Sequence, residues 1–150
     1  MDLSHLDAEG RATMVDVSGK PRVRRTARAA GSILVQPDTV RRIRDKLLEK
    51  GDALAVARVA GIAAAKRTAD LVPLCHNIRI DQVTVDFALG ADRVDIEASA
   101  VCTDSTGIEM EALTAVAVAA LTLYDMCKAV DKGMRITEIR LLEKTKAAGP

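Results

Sequence analysis

Apolar and polar residues alternate along this chain in two rhythms, one of period two and one near 3.6, and together they outline strands and helices. Met14-Val15-Asp16-Val17 alternates over too short a run to decide between a strand and an extended arm. Val23–Val35 mixes Arg, Thr, Ala and Val as a strand does, with Gly31 as a candidate bulge. Pro37-Asp38 opens a helix in which Val40, Ile43, Leu47 and Leu48 recur at helical spacing, and Gly51 closes it. Asp52 is placed to cap the next helix, which runs to about Asp70 before Pro73 stops it. Val56, Val59, Ile62 and Ala63 form its apolar face, while Gly61 and the alanines around it permit close packing. Ile78–Leu89 and Arg93–Cys102 both alternate, and Gly90-Ala91-Asp92 between them predicts a hairpin. A long helix follows from about Glu109 to Val130; beyond Gly133 a last strand covers Arg135–Leu142.

The order β, α, α, β, β, α, β predicts an α+β fold, with helices laid on one face of a largely antiparallel sheet. The 150 residues suit one domain. We place it at 13–143, after a loose polar segment at 1–12 and before a tail at 144–150.

Composition then removes whole classes of function. Hydrophobic residues make up 49% of the chain, enough for an ordinary core. The 22 basic residues nearly balance 21 acidic ones, so no general attraction draws the chain to nucleic acid or to an anionic membrane. An anion must be caught by a local cluster. Phe87 and Tyr124 are the only aromatics, which removes the stacking platforms that single-stranded nucleic acid requires. Cys75, Cys102 and Cys127 form no C-x-x-C pair, so a zinc ribbon or redox motif has no support. The N-terminus is too polar for a signal peptide, and the uncharged run Ala112–Tyr124 is shorter than the ~20 residues of a membrane helix. A cytoplasmic protein is expected.

The chemistry gathers around the long helix. Asp125 and Lys128 lie three apart and share a face, which suits either a surface ion pair or a proton-transfer couple. Glu109 and Glu111 start the same helix, after the Thr106-Gly107 turn; acidic residues there also complement the helix dipole. Fourteen helical residues separate Glu111 from Asp125, about 21 Å. If both serve one substrate, they must come from different copies of the chain. His76 follows Pro73-Leu74-Cys75 in a loop, where a structural histidine and a catalytic one read alike. Cys75 reads as a packed thiol, and nothing argues for a role of His5. Lys50, Lys66 and Arg67 read as solvated charge unless they converge with Lys128 on a polyphosphate. Without a P-loop or G-x-G-x-x-G, phosphate must be held by side chains and helix ends.

At these residues the chain resembles the MoaC family, which makes cyclic pyranopterin monophosphate in molybdenum cofactor biosynthesis. The resemblance lies in Met-Val-Asp16-Val17, Lys50-Gly-Asp52, Ala60-Gly-Ile-Ala-Ala-Ala-Lys66-Arg-Thr and Asp70-Leu-Val-Pro-Leu-Cys-His76. It is strongest over Thr106-Gly-Ile-Glu-Met-Glu111-Ala-Leu-Thr-Ala and Leu123-Tyr-Asp125-Met-Cys-Lys128-Ala-Val, and it covers roughly residues 13–143. It implies a ferredoxin-like fold and a homohexamer built as a trimer of dimers, with active sites between subunits. The implied substrate is (8S)-3′,8-cyclo-7,8-dihydroguanosine 5′-triphosphate, supplied by a radical S-adenosylmethionine GTP cyclase. By the same resemblance Leu74, Cys75, His76, Met110 and Glu111 bind substrate, Asp125 is the catalytic aspartate, and Lys50, Lys66 and Lys128 surround the reacting centre.

Ring opening, ring closure and loss of diphosphate need groups that both give and take protons, and charge stabilisation at the leaving phosphate. Asp125 and Lys128 are expected to do the acid–base work, with one lysine depressed toward neutrality by neighbouring cations. Lys50 and Lys66 would share proton transfer and phosphate neutralisation. His76 would orient the substrate, and Glu111 would hydrogen-bond its guanine-derived edge. No resident metal or cofactor is called for; Mg²⁺ would enter, if at all, with the triphosphate. One departure stands out: Asp104-Ser105 precedes Thr106-Gly107 where the family has Gly and then Lys or Arg. That exchange is the one feature behind an alternative, a catalytically silent paralogue that binds a purine nucleotide. An unrelated interaction module is the remaining alternative, and it predicts no binding of a purine triphosphate.

Overall fold

The computed structural model describes residues 5–147. Its elements are β1 (Val23–Leu34), α1 (Pro37–Arg44), α2 (Ala53–Ala65), α3 (Thr68–Leu71), β2 (Ile80–Leu89), β3 (Arg93–Asp104), α4 (Glu109–Cys127) and β4 (Arg135–Lys146). The sheet order is β2-β3-β1-β4, with every neighbouring pair antiparallel. Two strands from each of two successive β-helix-β units, β1 with β2 and β3 with β4, thus interleave under helices on one face. This is the ferredoxin-like arrangement.

Period two decides which side of the sheet is dry. Val94, Ile96, Ala98, Ala100 and Cys102 of β3 are all buried, and the residues between them are not. Their register partners on β1, Ile33, Gly31, Ala29, Ala27 and Arg25, point to the same face. α4 lies across this face and buries Ala112, Ala115, Val116, Ala119, Ala120 and Leu123. Among the described residues α4 is the one helix long and apolar enough to cross a membrane by length and composition. Here it is the central helix of the core, and its apolar surface is used for packing.

Several boundaries differ from the sequence pattern, each for a local reason. The first helix stops at Arg44 and not near Gly51, because Lys46 adopts φ 56° and reverses the chain. The second stops at Ala65 and leaves α3 as a separate turn; Thr68 donates its hydroxyl back to the carbonyls of Ala64 and Ala65. β4 continues to Lys146 and pairs with β1, so residues 144–146 of the expected tail are strand. As an edge strand with one open side it carries Glu143, Lys144 and Lys146 without an alternating signature. Residues 14–17 belong to neither helix nor strand and lie in an arm outside the sheet. Within the expected loose segment, Leu6 and Ala12 bridge across a turn; residues 1–4 lie outside the described range.

The buried face of α2 is a correction. Val56 and Val59 are 45% and 67% exposed, and the residues that pack inward are Ala53, Ala57, Gly61, Ala64 and Ala65. Small residues win this face because α2 crosses α4 at close range. A Cβ on Gly61 would lie 2.9 Å from the Ala115 carbonyl oxygen and 3.2 Å from Val85 Cγ2. Gly61→Ala is therefore expected to destabilise the fold by ~1–3 kcal/mol in chemical denaturation, since backbone must move. Unchanged stability would mean that the crossing has slack.

Gly31 does sit at an irregularity, as its place in the sequence suggests: pairing of β1 with β3 runs through it unbroken, but pairing with β4 shifts register between Ala30 and Ser32, where Glu138 takes φ 57°. Gly31 is needed because a Cβ there would sit 2.8 Å from Val116 Cγ1.

Candidate active site

α4 carries a group of functional residues at each end. At its start, Glu111 is only 3% exposed, and its Oε2 has no hydrogen-bond partner. Burial, reinforced by the nearby Glu109, raises its carboxyl to about 7. Glu109 keeps one oxygen buried and unpartnered and turns the other toward Lys144 Nζ at 3.5 Å. Unpaired buried carboxylate oxygens are costly, and they mark a place where a ligand's donors fit.

These acids face a cleft of about 460 Å³, within the range of small-molecule pockets. The loop after α3 forms one wall with Leu74, Cys75, His76 and Ile78, and α4 adds Met110 and Glu111. The expected substrate-binding residues are therefore neighbours in space. The 13–22 arm crosses the cleft with Val15, Val17 and Lys20. It is held by His76, whose Nε2 donates to the Val15 carbonyl. The Cys75 thiol is raised by burial and then by Glu111 and Glu109, so it is a packed, protonated group.

At the other end of α4, Asp125 sits between two lysines. Lys50 Nζ lies 2.8 Å from Oδ2, and Lys128 Nζ lies 2.9 Å from Oδ1. Lys50 arrives from the turn between α1 and α2, where Gly51 (φ 103°) completes the reversal before Asp52 caps α2 by accepting from Ala55 N. Hydrogen bonds from Lys50 and Lys128 hold the Asp125 carboxyl down at about 2. The same contact raises Lys128. A lysine depressed toward neutrality, expected from the sequence, is thus not found at Lys128: its nearest charge is an anion, and the ammonium is favoured.

Lys66 does not join this cluster. It stands past the end of α2, beside a depression lined by Ile62, Ile78, Ile80, Asp81, Gln82 and Val83, which shares Ile78 with the cleft. A single chain therefore collects Leu74, Cys75, His76, Met110 and Glu111 in one place and Lys50, Asp125 and Lys128 in another.

Sequence reasoning passed over Lys20, Lys144 and His5, which also line the cleft. Lys144 fell in the supposed tail, and Lys20 has no periodic neighbour to mark it. The Asp104-Ser105 departure lies beside the cleft, outside its lining. Asp104 Oδ1 accepts from Ser105 N at 2.7 Å, and Arg25 Nε donates to the Asp104 carbonyl at 3.1 Å. The added carboxylate is thus bonded within its own loop, while the β1 arginine holds that loop's backbone.

Comparison with known proteins identifies the family. A family model described as "MoaC family" matches residues 14–147. A cyclic pyranopterin monophosphate synthase of Streptomyces avermitilis is 57% identical over 143 residues, covering 95% of this chain and 84% of that protein. One from Heliobacterium modesticaldum is 57% identical over 145 residues, covering 95% of this chain and 91% of its own length. A molybdenum cofactor biosynthesis bifunctional protein of Chlorobaculum tepidum is 52% identical over 145 residues, and this chain spans 46% of its length. With the match extending from the arm across the cleft to the end of β4, this chain belongs to the MoaC family.

Proposed function

We propose that this chain is a lyase that converts (8S)-3′,8-cyclo-7,8-dihydroguanosine 5′-triphosphate to cyclic pyranopterin monophosphate and diphosphate, in molybdenum cofactor biosynthesis. The observation that supports it best is a buried, unpartnered carboxylate, Glu111, in a cleft that also carries Lys20, Lys144 and His76. A carboxyl near neutral pKa suits the N–H edge of a guanine-derived ring, and the cations suit a triphosphate. Glu111 and His76 bind and orient the base, with Leu74, Cys75 and Met110 shaping the wall. Asp125 and Lys128 move protons, and Lys50 and Lys66 neutralise phosphate as diphosphate departs from the α-phosphorus. Asp125, ionised at all working pH, is the acceptor. Lys128, protonated beside it, is the donor.

The two groups of residues become one site when the end of α4 in one copy meets the start of α4 in another. Val56, Val59, Leu121 and Tyr124 stand exposed on α2 and α4, as residues awaiting a partner do. Our reading is a homohexamer, a trimer of dimers, working in the cytoplasm downstream of a radical S-adenosylmethionine GTP cyclase. The silent-paralogue alternative is weakened, since Asp104 bonds within its own loop and is not among the residues that line the cleft.

The test is direct. The purified protein, incubated with the cyclised GTP derivative, is expected to release diphosphate and a pterin, read after oxidation to a fluorophore, in equal amounts. Substrate bound but unchanged would restore the silent paralogue.

A further inference from the structure

The Lys50–Asp125–Lys128 cluster is exposed, and exposed ion pairs are too weak to hold a turn in place. Lys50 therefore needs an anchor elsewhere. The turn that carries it follows α1, a short helix whose packing against the rest of the fold is sparse and chiefly with β3. Val40 and Ile43 bury their side chains beneath it. Its polar tie is a single carboxylate from the opposite segment.

Asp131 lies three residues beyond Lys128 and is 2% exposed. Backbone N–H groups of Val130 and Asp131 both donate to the Cys127 carbonyl, making a tight turn that delivers Asp131 directly from the end of α4. Its Oδ2 accepts from Gln36 N at 2.8 Å and from Thr39 Oγ1 at 2.9 Å; its Oδ1 accepts from Gly133 N at 3.2 Å. Gln36 is the N-cap of α1 and uses no side-chain cap of its own. Two backbone N–H groups, those of Gln36 and Gly133, and the Thr39 hydroxyl thus satisfy the buried carboxyl group. Asp131 thus ties down the N-terminal end of α1 and joins the segment that leads to Lys50 to the segment that carries Asp125 and Lys128.

We propose that Asp131 is a positioning residue for the reaction, locking α1 to the end of α4 so that Lys50 and Lys128 both stay on Asp125. The kinetic side rests on the function proposed above; the geometric side does not. Asp131→Ala, in the assembled enzyme, is expected to lower kcat at least about tenfold with KM within about twofold, as small misplacements of catalytic groups do. Asp131→Asn keeps an acceptor for Gln36 N–H and the Thr39 hydroxyl, and is expected to recover most of that loss. Val85→Ala, a core change in β2, supplies the control for lost stability without lost position. In a crystal structure of Asp131→Ala the 2.8 Å Lys50–Asp125 contact is expected to open beyond about 4 Å. Should Asp131→Ala not fold, Thr39→Val removes one bond of the lock, and an approximately threefold fall in kcat is expected. The proposal is overturned by any of three results: a retained 2.8 Å contact, an Asp131→Ala or Thr39→Val rate equal to that of Val85→Ala, or an asparagine variant no better than alanine. If the unmodified enzyme fails to turn over the substrate, the function assigned above falls while the contact distance still decides the role of Asp131.

Discussion

Asp125→Asn is expected to reduce turnover by ~10²–10⁴-fold, the usual worth of a general acid–base group, while substrate binding stays equal or becomes tighter. The direction of the binding change follows from charge. Asp125 partly cancels Lys50 and Lys128, which approach it at 2.8 and 2.9 Å. Removing the negative charge leaves two ammonium groups free to meet a triphosphate. Lys128→Ala should also abolish product, but with a raised KM, because it removes a cation. Steady-state kinetics combined with calorimetric titration of the inactive variants separate these outcomes. Turnover of Asp125→Asn within about tenfold of normal would remove Asp125 from the proton-transfer role. The fold itself should barely notice either change, since all three side chains are about half exposed.

Glu111→Gln has the other large effect, and it acts on stability and activity in opposite directions. The Glu111 carboxyl titrates at about 7 in the folded chain against 4.5 when unperturbed. The folded state therefore holds its proton more tightly than the unfolded state. Stability contributed by the neutral form is complete below about pH 4.5 and is lost as pH rises toward 7. Above that range the ionised, buried carboxylate costs up to ~3 kcal/mol. Glutamine keeps the shape and never ionises. Chemical denaturation at about pH 8 should show the variant more stable than the parent by ~1–3 kcal/mol, with the gap closing by about pH 4.5. Turnover should fall on the order of a hundredfold, because the amide replaces one accepting oxygen with an N–H₂ donor and loses the two-point hold on the substrate's N–H edge. A variant no more stable than the parent at about pH 8 would show that Glu111 is already ionised at little cost. Stability withheld at a functional site is the expected trade.

The parts of the fold that were legible in the sequence were those with a strong period. β3 alternates from Val94 to Cys102, and α4 is apolar nearly all round; both were placed within a few residues. α2 misled, because Val56 and Val59 are among its bulkier apolar residues and yet face outward. At a close helix crossing the inward face is chosen by size, and Ala57 and Gly61 fit where valine does not. Lys144 was hidden because an edge strand can be charged along its length. Asp131 carries no sequence signal, since nothing in its neighbours announces that Gln36 and Thr39 will close over it. The clustering of Leu74, Cys75, His76, Met110 and Glu111 was anticipated only through the family resemblance. Local pattern could not bring a loop after α3 to the start of α4.

Separation of the two groups along α4 is what makes subunit mixing informative. Asp125→Asn and Glu111→Gln, each inactive alone, should regain activity when unfolded together and reassembled. If every site takes Asp125 from one copy and Glu111 from another, random mixing in equal amounts restores about a quarter of the sites. Recovery near that level is the result we predict. Activity no higher than that of either variant alone, from mixed oligomers shown to have formed, would contradict a site shared between copies.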